Sequence, residues 1–271
     1  MDIGTFSGTH YDEYNQTGDL NLFERVIDSL MVEKYSNDKE ISEYIESLSR
    51  EDKRIAILSL LDGDNGMWVK LKSLIKGNEL TKMDHIKDVI LMLRDFVKVG
   101  EVEKKKFGEV MTPLELVKEM LSTLPEEVWS NPNLKWLDPA NGTGPYPLMV
   151  IYKLMRGLED WEPDPNKRYK HIVENMIYTC ELQARNVFLW LCAVDPHDEY
   201  KTNTYWGSFL EDGFDKHMKE VWGVEKFDIV LGNPPYQEMD GGAKASAKPI
   251  YNLFTLKSIN LSNKVLFVTP S

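Results

Sequence analysis

The chain has 271 residues, of which 42% are hydrophobic and 28% charged, and its net charge is −12. This composition is typical of a soluble globular protein. The acidic balance argues against an extensive nucleic-acid-binding surface, because phosphate contacts require Lys and Arg. Two cysteines, Cys180 and Cys192, are too few for a disulfide framework or a zinc site, which favours reduced thiols in a cytoplasmic protein. No apolar run is long enough to span a bilayer, so we expect no membrane partner.

Helical periodicity dominates the amino-terminal third of the chain. After a polar lead-in, apolar residues recur at helical spacing, first at Phe23, Val26, Ile27 and Leu30. We therefore predict an all-helical amino-terminal domain over residues 1–106, whose apolar stripes are packing surfaces. The acidic and lysine residues at 101–105 follow a predicted helix, which favours a solvated linker over a metal-nuclease site. We expect no bound metal.

From residue 107 onward, short apolar strands alternate with helices, as in an α/β domain. The first feature of this half is a turn that runs from Phe107 to Pro113 and opens a helix. Thr112 is a suitable N-cap, and Pro113 is a suitable first helical residue. The segment is either simply a capped helix or a turn in which Thr112 and the nearby backbone face a ligand.

A strand ending at Asp138 runs into a glycine-containing loop and then an apolar helix. Gly142 and Gly144 are spaced Gly-x-Gly and allow a ligand to approach the backbone closely. The third glycine of the dinucleotide fingerprint and the lysine of a phosphate loop are absent, which argues against a pyrophosphate-containing cofactor. A cofactor with an amino-acid tail fits better, because the loop and Asp138 can bind its ammonium group. S-adenosylmethionine is such a molecule.

The next two strands end in further candidate binding residues. The second strand ends at Glu181, the position at which an acid commonly binds a ribose diol. Residues 161–170, which precede that strand, are predicted to form an inserted loop. The third strand ends near Ser208 and Phe209, and Phe209 either flanks an adenine ring or is an ordinary core residue.

The fourth strand is a short apolar run that stops at Gly232 and continues as Asn233, Pro234, Pro235 and Tyr236. The two prolines fix φ and remove two backbone donors, so the loop is stiff. The Asn233 side-chain oxygen and the Pro234 carbonyl can accept both protons of a planar amino group, while Tyr236 stacks on its ring. This arrangement favours chemistry at an amino group. The structural alternative is a proline-rich turn with a capping asparagine.

Taken in order, these motifs resemble those of the N6-adenine DNA methyltransferases whose cofactor motifs precede Asn-Pro-Pro-Tyr, above all the methylase domains of restriction–modification enzymes. The resemblance covers residues 107–271. It implies catalysis by Asn233, Pro234, Pro235 and Tyr236. The cofactor-binding residues that it implies are Phe107, Thr112, Pro113, Asp138, Ala140, Gly142, Gly144, Glu181, Ser208, Phe209 and Asn233. The family often has Asp where Ser208 stands, which weakens or moves a hydrogen bond to the adenine of the cofactor.

The resemblance also implies an α/β fold with a Rossmann-like S-adenosylmethionine-dependent methyltransferase sheet, in which residues 107–271 form the catalytic domain. The sequence supplies five strands, the last at residues 265–268, whereas the family has seven and a target-recognition domain after them. We therefore expect a sheet that is incomplete at the carboxyl terminus. DNA would be recognised by a C-terminal domain absent here, in a longer native form or on a partner chain. Residues 237–249 are either a lid ordered by substrate or a plain solvent loop.

The implied function is transfer of a methyl group from S-adenosylmethionine to the N6 amino group of adenine in DNA, within a restriction–modification system. The expected location is the cytoplasm of a bacterium or archaeon, or of a phage host. Two alternatives remain open. The same tetrapeptide serves enzymes that methylate glutamine amides in proteins or amino groups in RNA, since all present a planar NH2 group. Otherwise the chain is a non-catalytic cofactor-binding fragment that needs a partner.

Overall fold

The protein is built around a five-stranded parallel sheet. The structure is a computed structural model, and it describes residues 22–35, 43–44, 47–49, 52–53, 56, 88–91, 112–195, 199–239 and 247–270. The strands of the sheet are β1 (Trp136–Asp138), β2 (Ile177–Glu181), β3 (Asn203–Trp206), β4 (Phe227–Gly232) and β7 (Ser262–Phe267). A short antiparallel pair, β5 (Gln237–Met239) and β6 (Ala247–Pro249), lies between β4 and β7 in the chain. The predicted α/β fold with a parallel, Rossmann-like sheet is confirmed.

The strand order β3-β2-β1-β4-β7 places β1 beside β4 in the middle of the sheet. The chain builds outward from β1 to β3 and then returns to the other side of β1. In open α/β sheets, ligands bind beyond the carboxyl ends of the strands at such a reversal. The register brings these ends together, since Leu137 pairs with both Tyr178 of β2 and Val230 of β4.

The central strands β1 and β4 are largely apolar because both of their faces are buried. Successive side chains of a strand point to opposite faces. Trp136 and Ile229 accordingly enter one hydrophobic cluster, while Leu137 and Val230 enter the other. This two-sided burial leaves the ends of the strands as the part of the sheet available to a ligand.

The α-helices within the described residues are α1 (Leu22–Tyr35), α2 (Leu114–Ser122), α3 (Pro145–Gly157), α4 (Pro165–His171), α5 (Ala184–Val194), α6 (Asp212–Glu220) and α7 (Tyr251–Leu261). A 3-10 turn spans Glu126–Trp129, and a π-helical turn spans Ile172–Met176. None of these helices is both long and apolar enough to cross a membrane.

Two segments differ from the prediction. The predicted inserted loop at residues 161–170 contains most of α4, because Asp164 Oδ1 accepts from Asn166 N at 2.9 Å and Pro165 follows as the first helical residue. The predicted loop at 237–249 instead begins and ends in the paired strands β5 and β6, and residues 240–246 lie outside the described residues. Helix α4 and strands β5 and β6 are too short for hydrophobic periodicity in the sequence to predict them.

Helix α1 confirms the predicted helix around Phe23 and packs on α5 of the sheet half. The rings of Phe23 and Phe188 stack with their centroids 5.9 Å apart, and Val26 is fully buried. Part of the amino-terminal third therefore shares a hydrophobic core with the sheet. The boundary between residues 106 and 107 stays a prediction, and the linker at 101–105 lies outside the described residues.

Candidate functional site

The loop that follows β1, residues 139–144, is held by its own backbone and by the end of β2; we name it the glycine loop. Within it, Gly144 N donates to Asn141 O at 2.9 Å. Asn141 N donates to Cys180 O at 2.9 Å, and Gly142 N donates to Glu181 Oε2 at 2.7 Å. The loop is thus fixed in place before any ligand arrives.

Left-handed backbone explains both glycines of the predicted Gly-x-Gly. Gly142 has φ +56° and Gly144 has φ +93°, conformations that side chains rarely adopt. A Cβ on Gly144 would also lie 2.4 Å from Cε3 of Trp190, whereas nothing lies within 4 Å of a Cβ on Gly142. The loop therefore approaches helix α5 closely at Gly144 and borders open space at Gly142.

Asp138 is a buried acid with an unsatisfied oxygen at the end of β1. Its Oδ1 accepts from Ala140 N at 3.1 Å, while its Oδ2 is buried and has no hydrogen-bond partner among the described residues. Burial raises the pKa of Asp138 to about 8; the Ala140 N–H lowers this pKa, and the charge of Glu181 raises it further. The side chain is therefore a protonated acid at neutral pH, and a nearby cation would ionise it.

Glu181 ends β2, as predicted, and its carboxylate ties two loops together. Oε2 accepts from Gly142 N, and Oε1 accepts from Gln183 N at 2.7 Å. The residue is only 7% exposed. Glu181 therefore shapes the glycine loop directly, a role that the sequence did not reveal, and its contact with a ribose stays a prediction.

Residues 233–236, which we name the Asn-Pro-Pro-Tyr loop, follow β4 and lie next to the glycine loop. The link is Gly232, where a Cβ would lie 2.7 Å from Asp138 Oδ1. Asn233 is half-buried, and Pro234 is buried. At the far end, Ile250 N donates to Tyr236 O at 3.1 Å. The sheet thus brings together two motifs that lie far apart in the sequence.

The amide of Asn233 is held on one side only. Its Nδ2 donates to Thr112 Oγ1 at 3.1 Å, and its Oδ1 is buried without a hydrogen-bond partner among the described residues. An unsatisfied buried acceptor is costly in a folded protein and is common where a ligand later supplies the donor. This oxygen is the atom that the sequence assigns to an amino group.

Thr112 does not cap a helix, contrary to the prediction. Pro113 occupies the N-cap position, and α2 begins at Leu114, one residue later than expected. Thr112 instead lies half-buried against Asn233, which is consistent with the alternative that it faces the site. Phe107, the start of the predicted motif, lies outside the described residues.

Ser208 and Phe209 follow β3 and make local contacts. Ser208 Oγ accepts from Leu210 N at 3.2 Å. Phe209 is 1% exposed and packs against Phe214 and Phe254, with ring centroids 4.9 Å and 5.4 Å away. These contacts fit the core alternative for Phe209, and its contact with an adenine ring stays a prediction.

Three residues of the site carried no sequence signal. Glu211 Oε1 accepts from Tyr205 OH at 2.6 Å and from Ser208 N at 3.1 Å, placing an acid beside Ser208. Tyr146, two residues after the glycine loop, is buried near Thr112. Asn141 is 2% exposed, with its Oδ1 unpaired within the described part of the chain. Only its place directly before Gly142 could have drawn attention to Asn141.

Thiol and metal-binding chemistry have little support among the described residues of this region. Burial raises the pKa of the Cys180 thiol well above its usual value, which disfavours a nucleophilic thiolate. Within the residues that the structure describes, no group of three or more His, Cys, Asp or Glu side chains could hold a metal ion.

Comparison with known sequences bears on this arrangement. Residues 158–271 match the family described as Eco57I restriction-modification methylase. An uncharacterized adenine-specific methylase of Mycoplasma pneumoniae is 29% identical over 70% of this chain and 61% of the relative. The chain therefore spans less than two thirds of that relative's length. The predicted resemblance to restriction–modification methylases is confirmed.

Solved structures of similar shape include a Listeria monocytogenes protein assigned to the class I S-adenosylmethionine-dependent methyltransferases, with a TM-score of 0.46 and 14% identity. That match covers 93% of this chain and 74% of the other. The M protein of the type I restriction enzyme EcoKI matches with a TM-score of 0.39 and 14% identity, over 90% of this chain and 55% of the other.

Proposed function

We propose that this chain transfers a methyl group from S-adenosylmethionine to the N6 amino group of adenine in DNA, as the methylase of a restriction–modification system. One observation carries the proposal. Within the described part of the chain, Asn233 Oδ1 and Asp138 Oδ2 are buried without a hydrogen-bond partner, and they lie on neighbouring segments at the reversal of the sheet. One is suited to an acceptor amino group and the other to the cationic end of a cofactor.

The residues of the glycine loop fit the proposed cofactor. S-adenosylmethionine supplies an electrophilic methyl group and carries an amino-acid tail with an ammonium group. Asp138, neutral when alone, would ionise beside that ammonium and accept from it through Oδ2. The open space next to Gly142 allows the backbone to border the tail without a clash. Glu181, at the neighbouring strand end, is the residue that we propose for the ribose.

The Asn-Pro-Pro-Tyr loop fits the proposed acceptor. Asn233 Oδ1 and the Pro234 carbonyl would accept the two protons of the exocyclic amino group, which leaves its lone pair directed at the methyl group. Tyr236, half-buried at the end of the loop, would stack on the base. The base must leave the helical stack to reach this loop. Positioning of the two reactants then supplies most of the rate enhancement.

Recognition of the DNA duplex is a separate requirement. The net charge of −12 is unfavourable for binding phosphate groups, and the chain spans 61% of the length of its relative. We propose that a further region of a longer native form, or a partner chain, supplies the basic contacts and reads the target sequence. The residues described here would then supply the cofactor site and the acceptor-binding loop.

The test is a methyl-transfer assay with methyl-labelled cofactor and unmethylated DNA, RNA or protein as the acceptor. It is run with this chain in the presence and absence of any longer native form. Calorimetry of cofactor binding accompanies each reaction. We expect binding in every case and label in DNA only. Label in RNA or in protein glutamine would contradict the proposed acceptor, and absence of cofactor binding would contradict the proposed cofactor.

A further inference from the structure

Glu211, directly before α6, holds a carboxylate beside the end of β3. Its Oε1 accepts from Tyr205 OH at 2.6 Å and from Ser208 N at 3.1 Å. The residue is exposed, and its Oε2 has no hydrogen-bond partner among the described residues. Because the Ser208 N–H can only donate, it holds Oε1 in place and leaves Oε2 as an acceptor for a further donor.

This carboxylate lies one strand away from the acid that we propose for the ribose. Gly207 N donates to Glu181 O at 3.0 Å, and Trp206 pairs with Glu181 in the sheet. Neighbouring strands of a sheet are about 4.8 Å apart. A nucleoside whose ribose binds Glu181 therefore has its base within reach of the end of β3 and of Glu211.

An exposed apolar side chain stands at the end of β2. Leu182 directly follows Glu181 and is 51% exposed, while its carbonyl accepts from Trp206 Nε1 at 3.2 Å. The backbone of Leu182 is thus held, and its side chain is open to solvent. Ligand sites combine such apolar surface with a few polar groups that fix orientation. Phe209, at 1% exposed, offers a ring very little surface.

We propose that Leu182 and Glu211 form the site for the adenine base of the cofactor, in which Leu182 packs against the ring and Glu211 Oε2 accepts from the 6-amino group. The inference rests on the proposed function and names the residue that determines which base is bound. The family often has Asp where Ser208 stands, so the contact is assigned to a residue outside the family's motif. Because a carboxylate only accepts, it selects a base that carries a donor at this edge.

The experiment measures the binding of two ligands by calorimetry. One is S-adenosylhomocysteine, the cofactor without its methyl group, and the other is S-inosylhomocysteine, in which a carbonyl oxygen replaces the 6-amino group. We expect the wild type to bind the adenosyl ligand at least about 10-fold more tightly, because the inosyl oxygen would face Glu211 Oε2, acceptor against acceptor. Equal affinities in the wild type would overturn the proposal without any variant.

Glu211→Gln replaces the free acceptor by a donor. Ser208 N still requires an acceptor, so the amide oxygen takes the place of Oε1 and the NH2 group takes the place of Oε2. We expect the preference to invert, with the inosyl ligand bound at least about 3-fold more tightly than the adenosyl ligand, and the denaturant midpoint to stay close to that of the wild type. A purely structural role for Glu211 would keep the preference for the adenosyl ligand, which would overturn the proposal.

Two further variants separate charge from ring contact. Asp212→Asn removes the neighbouring exposed carboxylate and should leave both affinities within about twofold. Leu182→Ala removes apolar surface that does not distinguish the two bases, so it should weaken both ligands by roughly 5-fold and keep their ratio. Unchanged affinities in Leu182→Ala, or an altered ratio in Asp212→Asn, would contradict the assigned roles.

Because binding is measured and not turnover, this inference can fail separately from the proposed function. A wild type that binds neither ligand would contradict the proposed cofactor together with this inference. A wild type that binds both ligands equally, or a Glu211→Gln variant with the wild-type preference, would overturn only the base site.

Discussion

The loop that follows β1 and the loop that follows β4 lie side by side but are held in different ways. The glycine loop is fixed by main-chain hydrogen bonds to itself and to the end of β2. The Asn-Pro-Pro-Tyr loop relies on two prolines for its stiffness, and its key side chain is held by Thr112, 121 positions earlier in the chain. The glycine loop is therefore fixed through its backbone. The Asn-Pro-Pro-Tyr loop has a rigid backbone and one functional side chain, Asn233, that is held by a single hydrogen bond.

This difference assigns the two loops to different steps. A loop fixed through its backbone suits a ligand that is bound in the same way throughout the reaction. A side-chain amide with an unpaired oxygen suits a group whose charge changes during the reaction. Substitutions in the glycine loop should therefore change cofactor affinity and stability, and substitutions in the Asn-Pro-Pro-Tyr loop should change the rate.

The largest effect is expected from Asn233→Ala. Loss of the side-chain acceptor should lower kcat by more than about 100-fold, as removal of a single transition-state hydrogen-bonding group does in other enzymes. Cofactor affinity should stay within about twofold, measured by calorimetry. Asn260→Ala, on the exposed side of α7, is the matched control and should leave both unchanged. Loss of cofactor binding in Asn233→Ala would show that the division between the loops is wrong.

Asp138→Asn tests whether the buried Asp138 is protonated, through the pH dependence of the unfolding free energy. The pKa of Asp138 is raised from 3.8 to about 8, so the folded chain keeps a proton that the unfolded chain releases. Stability contributed by this group is complete below pH 3.8 and is lost progressively as the pH rises to about 8. The wild type should therefore lose up to roughly 1.4 kcal/mol per pH unit relative to Asp138→Asn within that window.

Asp138→Asn should thus be more stable than the wild type at pH 8, yet bind the cofactor at least about 10-fold more weakly, because its amide cannot ionise beside an ammonium group. Denaturant unfolding at several pH values measures the stability difference, and calorimetry measures the change in cofactor affinity. Asp212→Asn, exposed in the first turn of α6, controls for the loss of a carboxylate. Parallel stability curves for Asp138→Asn and the wild type would contradict a buried, protonated Asp138.

Two glycine variants separate the effect of left-handed backbone from the effect of the close contact with Trp190. Gly144→Ala combines a left-handed backbone with a Cβ only 2.4 Å from the Trp190 ring, and should cost about 3 kcal/mol of unfolding free energy. Gly142→Ala has the left-handed backbone alone and should cost about 1 kcal/mol. Equal losses in denaturant unfolding would mean that Trp190 does not lie against the loop.

The smallest effect is expected from Ser208→Ala. Within the described residues the hydroxyl accepts from Leu210 N alone, in a partly buried turn, so its loss should cost under about 1 kcal/mol. Cofactor affinity should change by no more than about twofold, since Glu211 stays in place to accept from Ser208 N. A loss of affinity above about 10-fold would assign Ser208 a direct contact with the cofactor.

The same contrast explains what could be predicted from the sequence. The strands around Leu137 and Val230, the acid at Asp138 and the two glycines were predictable, because each depends on local backbone preferences or on burial. The contact between Thr112 and Asn233 was not, since it depends on where the sheet places two distant segments. Tyr146 was missed for the same reason.

Short elements were the other source of error. Helix α4 has seven residues, and strands β5 and β6 have three residues each. Such lengths contain too few turns or alternations for a period to be seen. The N-cap prediction for Thr112 failed by one position, because the proline that follows it can occupy the cap as well as the first turn.

The most direct test of the account is the identity of the methylated nucleoside. DNA methylated with a labelled cofactor is digested completely, and the nucleosides are separated by chromatography, for the wild type and for Asn233→Ala. The account predicts label in N6-methyladenine with the wild type and none with Asn233→Ala, while both proteins bind the cofactor equally. Label in a different nucleoside, or the same yield of N6-methyladenine from Asn233→Ala, would contradict it.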